Sequence, residues 1–161
     1  MNLLFMCTHN SCRSILSEAV FNHLAPAGLR AVSSGSFPSG TVNARALLTL
    51  EAAGISIEGL ASKASQAFEQ APPDIVITVC DRAAGEACPL FFGPALKAHW
   101  GLADPSAVHG SEAQIEAVFQ TTLAIIERRV RAFLALPLAR LDATELLSLI
   151  HISEPTRQEA I

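Results

Sequence analysis

Four cysteines stand at Cys7, Cys12, Cys80 and Cys88, and Cys12 is followed directly by an arginine. Cys7-Thr8-His9-Asn10-Ser11-Cys12-Arg13-Ser14 has the form Cys-x5-Arg-Ser. Before it lies an apolar run, Leu3, Leu4, Phe5 and Met6; after it Ile15, Leu16, Ala19, Val20, His23 and Leu24 recur at helical spacing. A loop strung between a strand and a helix can turn its backbone N–H groups inward, and the helix adds the positive end of its dipole. Residues 8–14 would then cradle a tetrahedral oxyanion, with Arg13 as a planar fork that holds two oxygens at once. The same field favours a thiolate at Cys7, a charged nucleophile to which Ser14 can donate a hydrogen bond. Cys-x5-Arg alone is a weak pattern, and a strand-end cysteine can precede an arginine by chance. Its place at the first strand-to-helix junction, with Asn10 and Ser14 beside it, favours the oxyanion loop.

Cys80 ends a second apolar run, Ile75 to Val79, and Cys88 follows across a segment rich in Ala and Gly. Three readings are open for this pair. They can be buried thiols. They can bind a metal, although zinc sites favour closely spaced pairs such as Cys-x2-Cys, which the chain lacks, so no metal is expected. Or they can meet and separate as a redox pair. Asp104-Pro105 is a common turn starter. It can equally supply a carboxylic acid that protonates an oxygen leaving a tetrahedral ion.

The elements that must hold these residues follow from periodicity. Residues 3–6 read as a buried parallel strand and the helix begins at Ser14. Residues 31–33 suit a second strand. Asn43 can cap a helix running to Ala53, with Gly54 at its end. Residues 61–70 suit a short helix, and 74–79 give the clearest strand, after Pro72-Pro73. Residues 97–100 suit a last strand. Residues 112–134 form a long helix with Ile115, Val118, Phe119, Leu123, Ile126, Val130 and Phe133 on one face. The alternation predicts an α/β three-layer sandwich with a four-stranded parallel sheet, order 2-1-3-4, flavodoxin-like. Ligands of such sheets sit beyond the carboxyl ends of the strands. The loops at Cys7, Cys80 and Asp104 all leave strands there.

The chain has 161 residues, half of them apolar, and a formal charge of −4. That suits one soluble domain and gives no reason to expect nucleic acid or an anionic membrane as partner. Nothing approaches an apolar span long enough for a membrane. The N-terminus carries no basic residue before its apolar run and reads as a strand, so a cytoplasmic location is expected. A monomer is expected as well. Structural disulfides are rare in that compartment. Residues 147–157 resemble the translation of a common sequencing-library adapter. The domain is therefore taken as 1–146, with 147–161 an adapter-derived or disordered tail.

The loop from Cys7 to Ser14 resembles the signature loop of the low-molecular-weight tyrosine phosphatases, and more closely that of the arsenate reductases sharing their fold. Ile77-Thr78-Val79-Cys80-Asp81 through Cys88-Pro89, then Ala98-His99-Trp100-Gly101 and Asp104-Pro105, resemble later blocks of those reductases in the same order. The resemblance runs from Met1 to about Leu146. It implies the phosphotyrosine phosphatase I-like fold and the reduction of arsenate to arsenite for detoxification. It also implies roles: Cys7 as nucleophile, Arg13 as anion clamp, Asp104 as acid, and Cys80 then Cys88 as a relay ending in a disulfide. Arsenate or a phosphate-like oxyanion is the implied ligand. No cofactor is bound. An external thiol system, thioredoxin or glutaredoxin with a low-molecular-weight thiol, would reduce the final disulfide. The spacing of Cys80 and Cys88 is longer than in the thioredoxin-coupled members, which keeps glutaredoxin in view. Asn10, Glu18 and Ser33 match positions that bind a structural potassium ion in some relatives, though a plain hydrogen-bond network is the favoured reading. The rival activity is a tyrosine phosphatase hydrolysing phosphate monoesters through Cys7. Those enzymes usually place aromatic residues, often Tyr, beside the acid; this chain has no Tyr.

Overall fold

The computed structural model describes residues 1–68, 71–81, 85 and 94–152. Four parallel strands form one sheet in the order β2-β1-β3-β4: β1 is Asn2–Cys7, β2 Arg30–Gly35, β3 Ile75–Thr78 and β4 Leu96–His99. Among the described residues the helices are α1 (Arg13–Leu24), α2 (Ala44–Ala52), α3 (Glu112–Leu134) and α4 (Ala143–Ile152). The expected strand order and fold class are both found.

β1 and β3 are apolar on successive residues because both faces of a central parallel strand are covered. Phe5 and Leu3 enter the larger core with Leu16, Val20, Phe21, Trp100, Phe119, Leu123, Ile126, Val130 and Phe133. Leu4, Met6 and Val76 form a smaller cluster. The apolar face anticipated for α3 is the one that packs, and α1 lies against both α3 and β2. Aromatic rings tie the layers together: Phe5 meets Phe21 and Trp100, and Phe133 meets Phe21 and Trp100.

Local signals explain most element ends. Asn43 caps α2 by accepting from the Ala46 N–H at 2.9 Å, and Gly54 follows it with φ of +74°. Ser111 and Gln114 form a reciprocal capping box at the start of α3. Three details differ from expectation. β2 runs on to Gly35, because its last residue pairs with Cys7 and bridges Ala64. The helix expected over 61–70 is, among the described residues, a 3-10 turn at Ser65–Phe68. The tail expected from residue 147 onward is helical through Ile152, with Ile150 fully buried. No helix among the described residues is long and apolar enough to cross a membrane.

Candidate active site

The loop from Thr8 to Cys12 is pinned from outside by its carbonyl groups. Thr8 O accepts from the Phe37 N–H at 2.8 Å. His9 O accepts from the Ser39 N–H and the Ser62 hydroxyl, both at 3.0 Å, and Ser11 O accepts from the Asn43 N–H at 2.8 Å. In a trans peptide the C=O and the next N–H point in opposite directions. No peptide bond in the described chain is cis. Outward carbonyls at 8, 9 and 11 therefore turn the N–H groups of His9, Asn10 and Cys12 toward the other side of the loop. Asn10 makes the sharp turn with φ of +48°, a conformation Asn tolerates better than most residues. α1 follows with no side-chain cap hydrogen bond at Cys12 and no acidic residue in its first turn.

Cys7 lies at the base of this loop, buried, its Sγ 3.0 Å from Ser14 Oγ. The Lys63 N–H donates to Asn10 Oδ1 at 2.9 Å, which fixes the orientation of that amide. Asn10 Nδ2 then donates to Ser14 Oγ at 2.7 Å and to Ser33 Oγ at 2.9 Å. The Ser33 hydroxyl in turn donates a hydrogen bond to Glu18 Oε1 at 2.6 Å. With the amide donating into one lone pair of Ser14, the Ser14 hydroxyl hydrogen is available to the Cys7 sulfur.

The potassium ligands implied by the resemblance are thus bonded to one another. Glu18 also faces the Lys63 ammonium at 3.7 Å. Among the described residues no group of three or more His, Cys, Asp or Glu is arranged to hold a metal.

Arg13 is buried beneath the loop. Its Nη1 donates to Leu102 O at 3.0 Å and its Nη2 lies 3.8 Å from Asp104 Oδ2. The first residue of α1 and the loop after β4 are therefore joined through one guanidinium. Asp104 is about one-third exposed and also caps the 3-10 turn Pro105–Ala107. Cys12 is buried, and its thiol is pushed up to about 12, first by burial, then by Asp104; Arg13 opposes and Cys7 adds to the shift. At neutral pH Cys12 is a protonated thiol.

Cys80 is fully buried just beyond β3. The Val79 N–H donates to Met6 O at 2.9 Å, so the chain leaving β3 runs beside the end of β1 and Cys7. Cys80 is disulfide-bonded, whereas Cys7 and Cys12 are free. Cys88 lies outside the described residues. His9 is exposed at the rim; His99 Nδ1 meets Thr78 Oγ1 at 2.8 Å. Sequence reasoning missed Gly35. A Cβ there would stand 2.5 Å from Thr8 O and 3.0 Å from the Asn10 nitrogen, so only glycine lets β2 approach the loop. A glycine closing a strand beside the loop was its only trace.

A loop pinned by its carbonyls, a buried cysteine at its base and a buried arginine beside it thus meet at the carboxyl edge of a flavodoxin-like sheet. The low molecular weight phosphotyrosine protein phosphatase profile matches residues 2–145, and the chain belongs to that family. An arsenate reductase of Shouchella clausii is 30% identical over 131 residues, covering 81% of this chain and 93% of the relative. The solved arsenate reductase of Archaeoglobus fulgidus superposes with a TM-score of 0.70 at 24% identity, covering 83% of this chain and 99% of that one. An arsenate reductase solved in a phosphate binding state gives a TM-score of 0.66 at 27% identity, covering 83% and 96%.

Proposed function

We propose that this chain reduces arsenate to arsenite by a relay through Cys7, Cys80 and Cys88, coupled to an external thiol system. The Cys7 thiolate attacks arsenic while arsenate rests on the loop amides and the Arg13 fork. Asp104 protonates the departing oxygen, which leaves as water. Cys80 then attacks the Cys7 sulfur. Two electrons pass to arsenic, arsenite leaves, and a Cys7–Cys80 disulfide remains. Cys88 attacks Cys80, returns Cys7 as a thiolate and leaves Cys80–Cys88 oxidised. Thioredoxin, or glutaredoxin with a low-molecular-weight thiol, supplies the two electrons that reset the pair.

One observation carries this reading over hydrolysis: Cys80 is disulfide-bonded beside the strand that ends in Cys7, while Cys7 is free. A phosphatase asks nothing of a second cysteine, whereas the oxidised end state of a relay contains this pattern. The curated relatives and a phosphate-binding structural neighbour support the substrate class.

The test follows arsenite release by the purified chain with each reducing system in parallel. Cys80→Ser should lose catalytic reduction while keeping any slow hydrolysis of an aryl phosphate. Cys88→Ser should complete one turnover and stall with Cys7 and Cys80 joined, visible by mass spectrometry after alkylation. Turnover by Cys80→Ser at the parent rate with every reductant would overturn the relay and leave hydrolysis, or direct attack by an external thiol on Cys7, in its place.

A further inference from the structure

Asp104 uses its two carboxyl oxygens for different tasks. Oδ1 accepts two hydrogen bonds from one residue: the Ser106 N–H at 2.9 Å and the Ser106 hydroxyl at 2.6 Å. Oδ2 points the other way, 3.8 Å from Arg13 Nη2. The turn-starter and acid readings of Asp104-Pro105 are therefore compatible, because each takes one oxygen. A carboxylate oxygen with two donors has both in-plane lone pairs engaged, and a proton added there must expel one of them. Oδ2 is the carboxyl oxygen that Ser106 leaves clear, and it lies on the side of the Arg13 guanidinium.

We propose that Ser106 is a positioning residue that selects Oδ2 as the proton-bearing oxygen of Asp104, so that the proton faces the oxygen leaving the bound oxyanion. The inference rests on the reading of Asp104 as the acid and adds the device that aims it. Nothing in the sequence pattern pointed to Ser106, because a serine after Asp-Pro looks like ordinary turn composition. The hydroxyl matters beyond the backbone N–H: any residue at 106 offers the N–H, whereas the second donor needs Ser or Thr. Among the described residues, charged and titratable groups face this part of the fold from three elements. Arg13 faces it from α1, and the Cys12 and Cys7 thiols lie in the loop beneath. From α3, Arg129 Nη2 donates to Gly101 O at 2.9 Å, and His99 of β4 lies beside Gly101. None of these replaces the Ser106 hydroxyl at Oδ1.

The experiment measures arsenite released in a single turnover by the fully reduced, full-length protein as a function of pH, which needs no external reductant. Phosphate inhibition is measured alongside as a gauge of anion binding. Removing the hydroxyl in Ser106→Ala withdraws a donor from the carboxylate, which favours the protonated form. The alkaline limb should move up by about one pH unit. With Oδ1 able to take the proton, the plateau rate should fall roughly two- to fivefold, since proton transfer depends on aim. Phosphate inhibition should not change, and Ser106→Thr should restore both limb and plateau. Asp104→Asn separates the two layers of the argument. If Asp104→Asn is crippled but Ser106→Ala keeps the parent limb and plateau, the Ser106 inference is wrong and the acid stands. If Asp104→Asn keeps the parent rate and profile, the acid reading fails and the aiming device falls with it.

Discussion

Two cysteines five positions apart sit in different surroundings here. Cys7 faces the Ser14 hydroxyl, which accepts from the Asn10 amide. Cys12 is desolvated, and Asp104 disfavours its anion further. A thiol whose value is raised from 9.0 to about 12 on folding contributes stability that is present below pH 9 and lost as pH rises toward 12. Each unit between the unfolded and folded values is worth about 1.4 kcal/mol. Cys12→Ala should therefore lower stability at pH 7, through lost packing, yet flatten the decline above pH 9. Denaturant midpoints of parent and variant at pH 7 and 10.5 measure this, and parallel declines would mean that Cys12 does not titrate in that window. The prediction also separates a buried packing thiol from a second nucleophile, since a protonated thiol is inert.

At the scale of elements, the oxyanion loop keeps its shape through neighbours far away in sequence. β2 and the segments at 37–39 and 61–63 hold its carbonyls outward and orient Asn10. Gly35 is where β2 comes closest. A methyl group there would meet Thr8 O at 2.5 Å, well inside contact, and backbone atoms cannot step aside as a side-chain tip can. Gly35→Ala should push the loop out of register with the end of α1. Overpacking of this kind destabilises by about 1–3 kcal/mol. The sharper sign is a loss of oxyanion affinity of at least about tenfold, the equivalent of one charge-assisted hydrogen bond, read as weakened phosphate inhibition. Unchanged inhibition by phosphate would mean that the loop does not depend on this approach. The contrast shows what a sequence can display. Cys7, Arg13 and Ser14 were legible because one strand-loop-helix carries them in order. The strand order was legible because short apolar runs alternated with amphipathic helices. The supports at Gly35, Ser62, Lys63 and Leu102 were not, because they join residues more than 25 positions apart by backbone atoms and small polar groups. Periodicity has no term for such contacts.

For the whole molecule, the sheet order brings the loops after β1, β3 and β4 to one edge, and the core beneath them decides how firmly they are held. Trp100 lies at the centre of that core, directly after β4 and four residues before Asp104. Its ring packs against Phe5 of β1 and Phe133 of α3, and its indole N–H donates to Ile150 O at 3.1 Å. α4 lies along β4 and brings Leu146 and Ile150 into the same cluster. Residue identities from 147 onward resemble an adapter, yet the first part of that segment packs as core. The two observations make opposite forecasts for truncation after Leu146. A foreign segment with no part in the core could be removed at little change. The packing says otherwise, because truncation uncovers the face that Ile150 covers and leaves a buried indole N–H without its acceptor. Loss of one buried aliphatic side chain and one buried hydrogen bond should together destabilise by about 2–4 kcal/mol. For a domain of this size that corresponds to a fall in Tm of roughly 5–15 °C. Because Trp100 is the only tryptophan, its fluorescence should also shift to the red as the indole meets water. A truncated protein with the parent Tm and an unshifted emission maximum would show that α4 beyond Leu146 is dispensable and that the domain ends there.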